Sequence, residues 1–367
     1  MKRTVGIITI FGLNNYGNRL QNYAVQKILT NLGNSVKTFA LTDEYNCFTW
    51  KTILRWKINH ITNYLFSPHP SASKQFARTM VFREFTKRYI PTEEIHSLEG
   101  LGDREDYFVV GSDQVWNPTW YGKQDKDLFL LSFSKPEQRV SFAASFGVDT
   151  LPEEWKEHFR RSLSTFSYIS VREEAGAKIV KELTGRDAEV LVDPTLMLSA
   201  DDWLKIAEKP RRMRLNKKYI LTYFLGDIPQ HTELLIEKLQ EKDDYYVYHL
   251  AKKEYPDLYL LGPSEFLYLI SKSSLVLTDS FHACIFSFLF SKPFLVYDRR
   301  QNEVDMTSRL HTLLSNLDLE RKYEKSELYN ELFECDYLNG MQRLLELKEK
   351  ELTYLQNAFR EIDETKR

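Results

Sequence analysis

Three side chains in this sequence have the chemistry to move a proton beside a bound anion: His282, Arg172 and Asp113. His282 follows Thr278-Asp279-Ser280 and leads into an almost wholly apolar run. Thr, Asp and Ser are strong N-cap residues. A helix start offers unpaired N–H groups and the positive end of the helix dipole, which together suit an anion. The alternative for His282 is a buried imidazole satisfied by a nearby carbonyl. Arg172 directly follows the run Tyr168 to Val171, and a guanidinium there can fork onto a carboxylate or phosphate. Asp113 lies in Gly111-Ser112-Asp113-Gln114-Val115-Trp116-Asn117-Pro118. Gln114 and Asn117 add amides and Trp116 a flat apolar face, a mixture that suits a sugar. The competing reading is a turn closed by Ser112 and Asp113, with Trp116 in the core. A second polar loop, Asn14 to Asn18, can hold a ligand through amides and backbone N–H groups, or simply turn the chain.

The surrounding pattern predicts where these groups stand. Val5 to Ile10 reads as a strand, Arg19 to Leu32 as a helix ended by Gly33, and Ser35 to Phe39 as a second strand. This is a β-loop-α-β opening, without the GxGxxG of a dinucleotide site. Strands follow at 106–110, 139–144, 168–171 and 189–192, with a boundary near 198. A second series has strands at 219–224, 245–248, 275–277 and 294–297. The fold class expected is α/β, with two Rossmann-like, doubly wound domains facing across a cleft. The first spans 1–198, the second 199–325, and a helical segment at 326–367 packs across the body. Ligands of parallel sheets bind outside the carboxyl ends of the strands. The loops bearing Asn14–Asn18, Asp113, Arg172 and His282 all lie at such ends.

The totals narrow the class further. The chain has 367 residues, 43% hydrophobic and 28% charged, with a net charge of −2. It is globular, and nothing in its charge points to nucleic acid. Three separated cysteines fit a reducing cytosol. The apolar run Val5 to Phe11 is too short for a signal peptide, and no window reaches transmembrane length, so a cytoplasmic location is expected. One segment departs from the average. Lys51, Arg55 and Lys57 interleave with Trp50, Trp56, Tyr64 and Phe66, and helices are predicted at 50–65 and 73–89. A basic, aromatic helix can rest on an anionic membrane, so 47–66 is a candidate for peripheral contact at the inner membrane face. No metal-ligand cluster, GKS/T loop, HExxH or GxSxG is present.

Five motifs carry a family resemblance. They are Asn14-Asn15-Tyr16-Gly17-Asn18-Arg19-Leu20-Gln21, Val110-Gly111-Ser112-Asp113-Gln114-Val115-Trp116-Asn117, Ser170-Val171-Arg172-Glu173, Val192-Asp193-Pro194-Thr195 and Thr278-Asp279-Ser280-Phe281-His282. In this order and context the chain resembles the polysaccharide pyruvyl transferase family over nearly its whole length. The resemblance implies a GT-B-like fold. It implies transfer of pyruvate from phosphoenolpyruvate to sugar hydroxyls as a ketal, in a polysaccharide or lipid-linked precursor such as those of bacterial capsule and exopolysaccharide. Phosphoenolpyruvate is then a co-substrate, and no cofactor or metal is implied. By the same resemblance His282, Arg172 and Asp113 are catalytic. By residue type and position, Ser280 and Phe281 are expected at the donor, and Asn15, Asn18, Gln21, Ser112, Gln114, Trp116 and Asn117 at the acceptor. Many members have Arg-Leu-His where this chain has Ser280-Phe281-His282. Arg299, Arg300 or Arg309 is therefore expected to supply the missing charge at the donor. Two other readings are a GT-B glycosyltransferase using a nucleotide sugar, which would release nucleotide diphosphate instead of phosphate, and a non-catalytic carbohydrate-binding protein.

Overall fold

The structure is a computed structural model that describes residues 2–11, 14–41, 70–120, 125–211, 213, 215, 218–299, 307–323 and 332–365. Arg300 and the segment 47–66, with its predicted helix at 50–65, lie outside the described residues.

Short apolar runs become strands because both faces of a parallel sheet are buried. The first sheet has the order β3-β2-β1-β4-β5. Its strands are β1 (Thr4–Ile8), β2 (Ser35–Leu41), β3 (Thr92–Ile95), β4 (Tyr107–Val110) and β5 (Arg139–Ser141). Every pairing is parallel. Two further short strands, β6 (Ser170–Val171) and β7 (Glu189–Val190), pair with each other. Bridges at Val140–Tyr168 and Ala144–Val171 join them to the β5 side. The second sheet is also parallel, in the order β11-β10-β8-β9. It contains β8 (Tyr219–Tyr223), β9 (Tyr246–His249), β10 (Leu275–Thr278) and β11 (Phe294–Val296). The α/β class with two parallel sheets is thus as the sequence predicts.

Alternation along the strands divides the core. Val5, Ile7, Tyr107 and Val109 enter one cluster, whereas Ile8, Phe108 and Val110 enter another on the opposite face. The first cluster does not stop at the first sheet. It also takes Tyr219, Leu221 and Tyr223 of β8, Val276 of β10 and Phe294 and Val296 of β11. Ile220, Leu275, Leu277 and Leu295 face a third cluster. One hydrophobic core therefore runs between the two sheets.

Polar ties reinforce that joint. Tyr16 stacks on Phe266 with ring centroids 4.6 Å apart, and its hydroxyl donates to the Leu261 carbonyl at 3.0 Å. Arg78, from the helix Pro70–Tyr89, donates to the Tyr16 hydroxyl at 3.1 Å, to the Tyr259 carbonyl and to the Asn14 carbonyl at 3.2 Å. Its guanidinium lies over the rings of Tyr16, Phe82 and Tyr259. The long helix Leu338–Thr365 spans both sheets. Tyr337, just before it, packs on Phe288 and Phe294. Further along, Tyr354 donates to the Ser141 carbonyl at 2.8 Å, and Phe359 meets Tyr107 edge-on.

Candidate active site

The carboxyl ends of both sheets converge on His282. The helix Phe281–Leu289 is buried throughout, as its apolar sequence predicts, and Ser280 is its N-cap. Ser280 Oγ accepts from Ala283 N at 3.5 Å. Asp279 is structural. Its two carboxylate oxygens accept from Leu225 N at 2.7 Å and Gly226 N at 2.8 Å. It thereby clamps the ends of β8 and β10 together beneath the histidine.

From the loop after β4 comes Asp113, and from the segments after β6 and β7 come Arg172 and Asp193. Asp113 has a φ of 71°, and Gly111 one of 119°. A Cβ on Gly111 would lie 2.3 Å from the Phe142 carbonyl oxygen, so only glycine lets the chain turn there. Arg172 directly follows β6, and the sequence sets it beside two candidate partners, Glu173 and Glu174. It turns instead to Asp193 Oδ2 at 2.6 Å and Asp113 Oδ1 at 3.4 Å. Asp193 divides its oxygens. Oδ1 accepts from the backbone and hydroxyl of Thr195, at 3.0 and 2.6 Å, in a local turn. Oδ2 is left for Arg172, for Ser112 Oγ at 3.4 Å and for His282 Nε2 at 3.6 Å. That last separation exceeds a hydrogen bond. Nε2 is buried without a hydrogen-bond partner among the described residues.

Electrostatics follow from these distances. Burial pushes the carboxyl groups of Asp193 and Asp113 up, but their cationic neighbours outweigh it. His282, Arg172 and the Thr195 bond hold Asp193 far below the ordinary range, and Arg172, His282, Arg309 and Asn18 lower Asp113. Both are ionised at neutral pH. Arg309 arrives from the helix Thr307–Asn316 and lies 6.0 Å from the ring centroid of Phe281, which stacks on Arg172 at 4.5 Å. Gln114, with its carbonyl turned toward the guanidinium, accepts from both terminal nitrogens of Arg309 at 2.6 and 2.7 Å. Burial, then the charge of Arg172, pull the Arg309 pKa down to about 10, with Arg299 acting in the same direction. A guanidinium crowded by others marks a place that favours an anion. Arg299 lies 3.7 Å from Asp279 Oδ2 with its side chain 23% exposed.

The first helix closes the site from the other side. It starts at Tyr16, three residues before the predicted Arg19, because Asn15 accepts from Asn18 N at 3.2 Å and caps it. A Cβ on Gly17 would lie 1.9 Å from His282 Nδ1. The imidazole of one half therefore rests on the bare backbone of the other. Gly17→Ala suits a helix yet must displace His282. The expected result is a fall in kcat of at least about ten-fold together with a stability loss of about 1–3 kcal/mol for the overpacking, read by steady-state kinetics beside a melting curve. An unchanged kcat would contradict the contact.

Most of the expected acceptor residues are framework. Trp116 is fully buried, its indole N–H donating to the Phe129 carbonyl at 3.1 Å, so it offers no face to a sugar. Asn117 is buried and accepts from Thr119 N and Oγ1. Gln21 is spent between Thr9 and Ser112 N, and Ser112 donates to the Ala143 carbonyl. Asn18 is buried and donates to Asp113 Oδ2 at 3.2 Å. Gln114 holds Arg309. These amides satisfy internal groups and have no surface left for a ligand; only Asn15 and Asp113 keep some exposure. Glu173, the last residue of the motif Ser170-Val171-Arg172-Glu173, belongs to the same framework. It is buried, and one oxygen accepts from Phe146 N at 2.8 Å and Gly147 N at 3.3 Å.

No curated protein matches this sequence. Among solved structures, UDP-GlcNAc 2-epimerase from Neisseria meningitidis, bound to UDP-GlcNAc, aligns with 98% of this chain and 94% of its own at 13% identity and a TM-score of 0.46. An alpha-glucosyltransferase in complex with UDP-glucose and DNA aligns with 99% of this chain and 100% of its own at 11% identity and a TM-score of 0.49. The family profile described as polysaccharide pyruvyl transferase matches residues 15–301. That range holds all five motifs except for Asn14, and it includes Asp113, Arg172, Asp193 and His282. The chain belongs to the polysaccharide pyruvyl transferase family, and is accordingly a transferase whose acceptor is a sugar or polysaccharide.

Proposed function

We propose that this protein transfers pyruvate from phosphoenolpyruvate to two hydroxyls of a sugar in a polysaccharide or lipid-linked oligosaccharide precursor, forming a ketal. The observation that carries the reading is the placement of His282. Its buried, unpartnered Nε2 stands beside ionised Asp193 and within a group of arginines suited to a small polyanion.

Protonated His282 gives its proton to the methylene carbon of phosphoenolpyruvate, leaving an oxocarbenium centre at C2. A sugar hydroxyl attacks C2 and loses its proton to Asp113, the more exposed of the two site aspartates. The C2–O bond to phosphate breaks and inorganic phosphate leaves, its charge met by Arg172 and Arg309. The second hydroxyl attacks the new oxocarbenium centre and closes the ketal; its proton goes to the now neutral His282, restoring the acid, and the proton held by Asp113 leaves with the phosphate. Asp193 keeps the imidazole oriented and faces its positive charge when it carries the proton.

Arg309 takes the place of the arginine that Ser280 removes. Arg309→Ala is expected to raise KM for phosphoenolpyruvate about ten- to hundred-fold, the loss of one charge-assisted contact; an unaltered KM would remove Arg309 from the donor site. The decisive experiment is calorimetry of the purified protein with phosphoenolpyruvate and with nucleotide sugars, side by side. Binding of phosphoenolpyruvate and release of inorganic phosphate in the presence of an acceptor are expected. Binding of a nucleotide sugar with release of nucleotide diphosphate would overturn the reading. Among the described residues no helix is long and apolar enough to cross a membrane. The basic, aromatic segment 47–66 is the reason to propose a lipid-carried acceptor. Its test is sedimentation with anionic liposomes at low salt, where no binding would count against that acceptor.

A further inference from the structure

Glu351 lies on the helix Leu338–Thr365, beyond the last residue of the family match. It is fully buried. Its Oε1 accepts from Val192 N at 2.7 Å, and its Oε2 is buried with no hydrogen-bond partner among the described residues. Val192 directly precedes Asp193, the residue that faces both Arg172 and His282. The neighbouring turns of the same helix hold to the same region: Tyr354 donates to the Ser141 carbonyl, and Lys350 to the Val190 carbonyl at 3.1 Å.

We propose that Glu351 is a positioning residue for the reaction: its buried carboxyl group fixes the Val192–Asp193 backbone and so sets Asp193 against His282 and Arg172. The claim rests on the pyruvyl-transfer reading for its kinetic consequences, though not for the placement itself. Only the acceptor function at Oε1 is required. A charge is not, since a second carboxylate beside buried Asp193 would repel it.

The protonation state agrees. Burial, with Asp193 adding to it, raises the Glu351 pKa well above the ordinary value, against the Val192 N–H bond and the charges of Lys348 and Lys350. The folded protein keeps this proton where the unfolded chain has released it. Stability therefore falls as pH rises from the ordinary glutamate value toward the raised one, and levels off above it. Glutamine, neutral at every pH and equal in shape, keeps the acceptor oxygen.

The full-length chain is compared as wild type, Glu351→Gln and Glu351→Ala. Three measurements apply: steady-state turnover of phosphoenolpyruvate across pH, melting temperature across pH, and the NMR resonances of the His282 ring. Glu351→Gln is expected to keep kcat within about two-fold and to remove one alkaline-going loss from both the pH–rate and the pH–stability profiles. Glu351→Ala is expected to lower kcat about ten-fold with KM little changed, and to shift the His282 resonances. The proposal is overturned if the alanine variant, folded, keeps wild-type kcat and His282 resonances, or if glutamine loses as much as alanine. Should the wild type not turn over phosphoenolpyruvate at all, the pyruvyl-transfer reading fails on its own. The His282 resonances of the two variants then decide the positioning claim: moved by alanine alone supports it, unmoved by either ends it.

Discussion

His282→Ala is expected to lower kcat for pyruvyl transfer by about 10²- to 10⁴-fold, the range for a lost general acid, while the protein stays folded. Among the described residues Nε2 makes no hydrogen bond that the substitution would break, so the stability cost is that of the lost packing of a buried side chain and of the charge it offers Asp193. Asp193 also keeps Arg172 and Thr195 as partners. The helix itself is capped by Ser280 and held by its apolar face, not by the imidazole. KM for phosphoenolpyruvate should change far less than kcat, because the arginines that meet its charges remain. The measurement is phosphate release in the presence of acceptor, with a thermal melt as the control for folding. Wild-type turnover by a folded His282→Ala protein would remove the histidine from the chemistry.

Arg172→Met has a different signature, since it should cost stability as well as rate. Arg172 and Asp193 are both buried, and their pair is a buried ion pair with a second carboxylate, Asp113, beside it. Removing the cation takes the ion-pair partner from buried Asp193 and a second cationic contact from partly exposed Asp113; breaking a buried pair in this way typically destabilises by about 3–5 kcal/mol. Denaturant unfolding should register that loss directly. The pH dependence gives a further check. In the wild type the Asp193 pKa is held well below its ordinary value. Its contribution is thus complete above that ordinary value and lost as pH falls toward the lowered one. The variant lacks part of that contribution. Acidification should therefore narrow the gap in stability between the two proteins. A gap that is small at neutral pH, or that widens in acid, would contradict the pairing. Arg172→Lys should rescue little, because a single ammonium cannot reach both carboxylates as a planar fork does.

The parts legible in the sequence are those whose burial dictates composition. Strands covered on both faces require continuous apolar runs, so β1, β4, β8 and β10 stand out, and the helix after Ser280 could only be interior. Strand β3 carries no such signal. It is an edge strand, Thr92-Glu93-Glu94-Ile95, held partly by Lys37 reaching Glu93 at 2.8 Å, and no apolar run announces it. The start of the first helix is hidden in the sequence because Asn15, Gly17 and Asn18 all read as loop residues. Asn15 caps the helix locally, but the other two have reasons to be inside it that depend on a distant partner: Asp113 for Asn18, His282 for Gly17. Polar residues in the Asp113 loop suggest, by type alone, a surface reaching for a sugar, yet most of them satisfy internal backbone and side-chain groups. Sequence gives residue type, not direction. Asp193 has a local signal, an Asp before Pro with Thr two positions on, which marks a capped turn. Its role as the hub between Arg172 and His282 depends on contacts spanning much of the chain.

Arg78 separates two kinds of control. Every hydrogen-bond partner described for it is a carbonyl or a phenol, and the faces around it are aromatic rings. Burial raises the Tyr16 phenol above its already alkaline ordinary value, so these contacts gain and lose no proton across the range in which proteins work. These contacts of the joint are thus insensitive to acidity, whereas the centre beside them, with the carboxyl groups of Asp113 and Asp193 held low, is not. Substitution around Asp193 therefore leaves the Arg78 contacts of the seam untouched, whereas the Glu351 tie, on the helix that spans both sheets, responds to acidity together with the site.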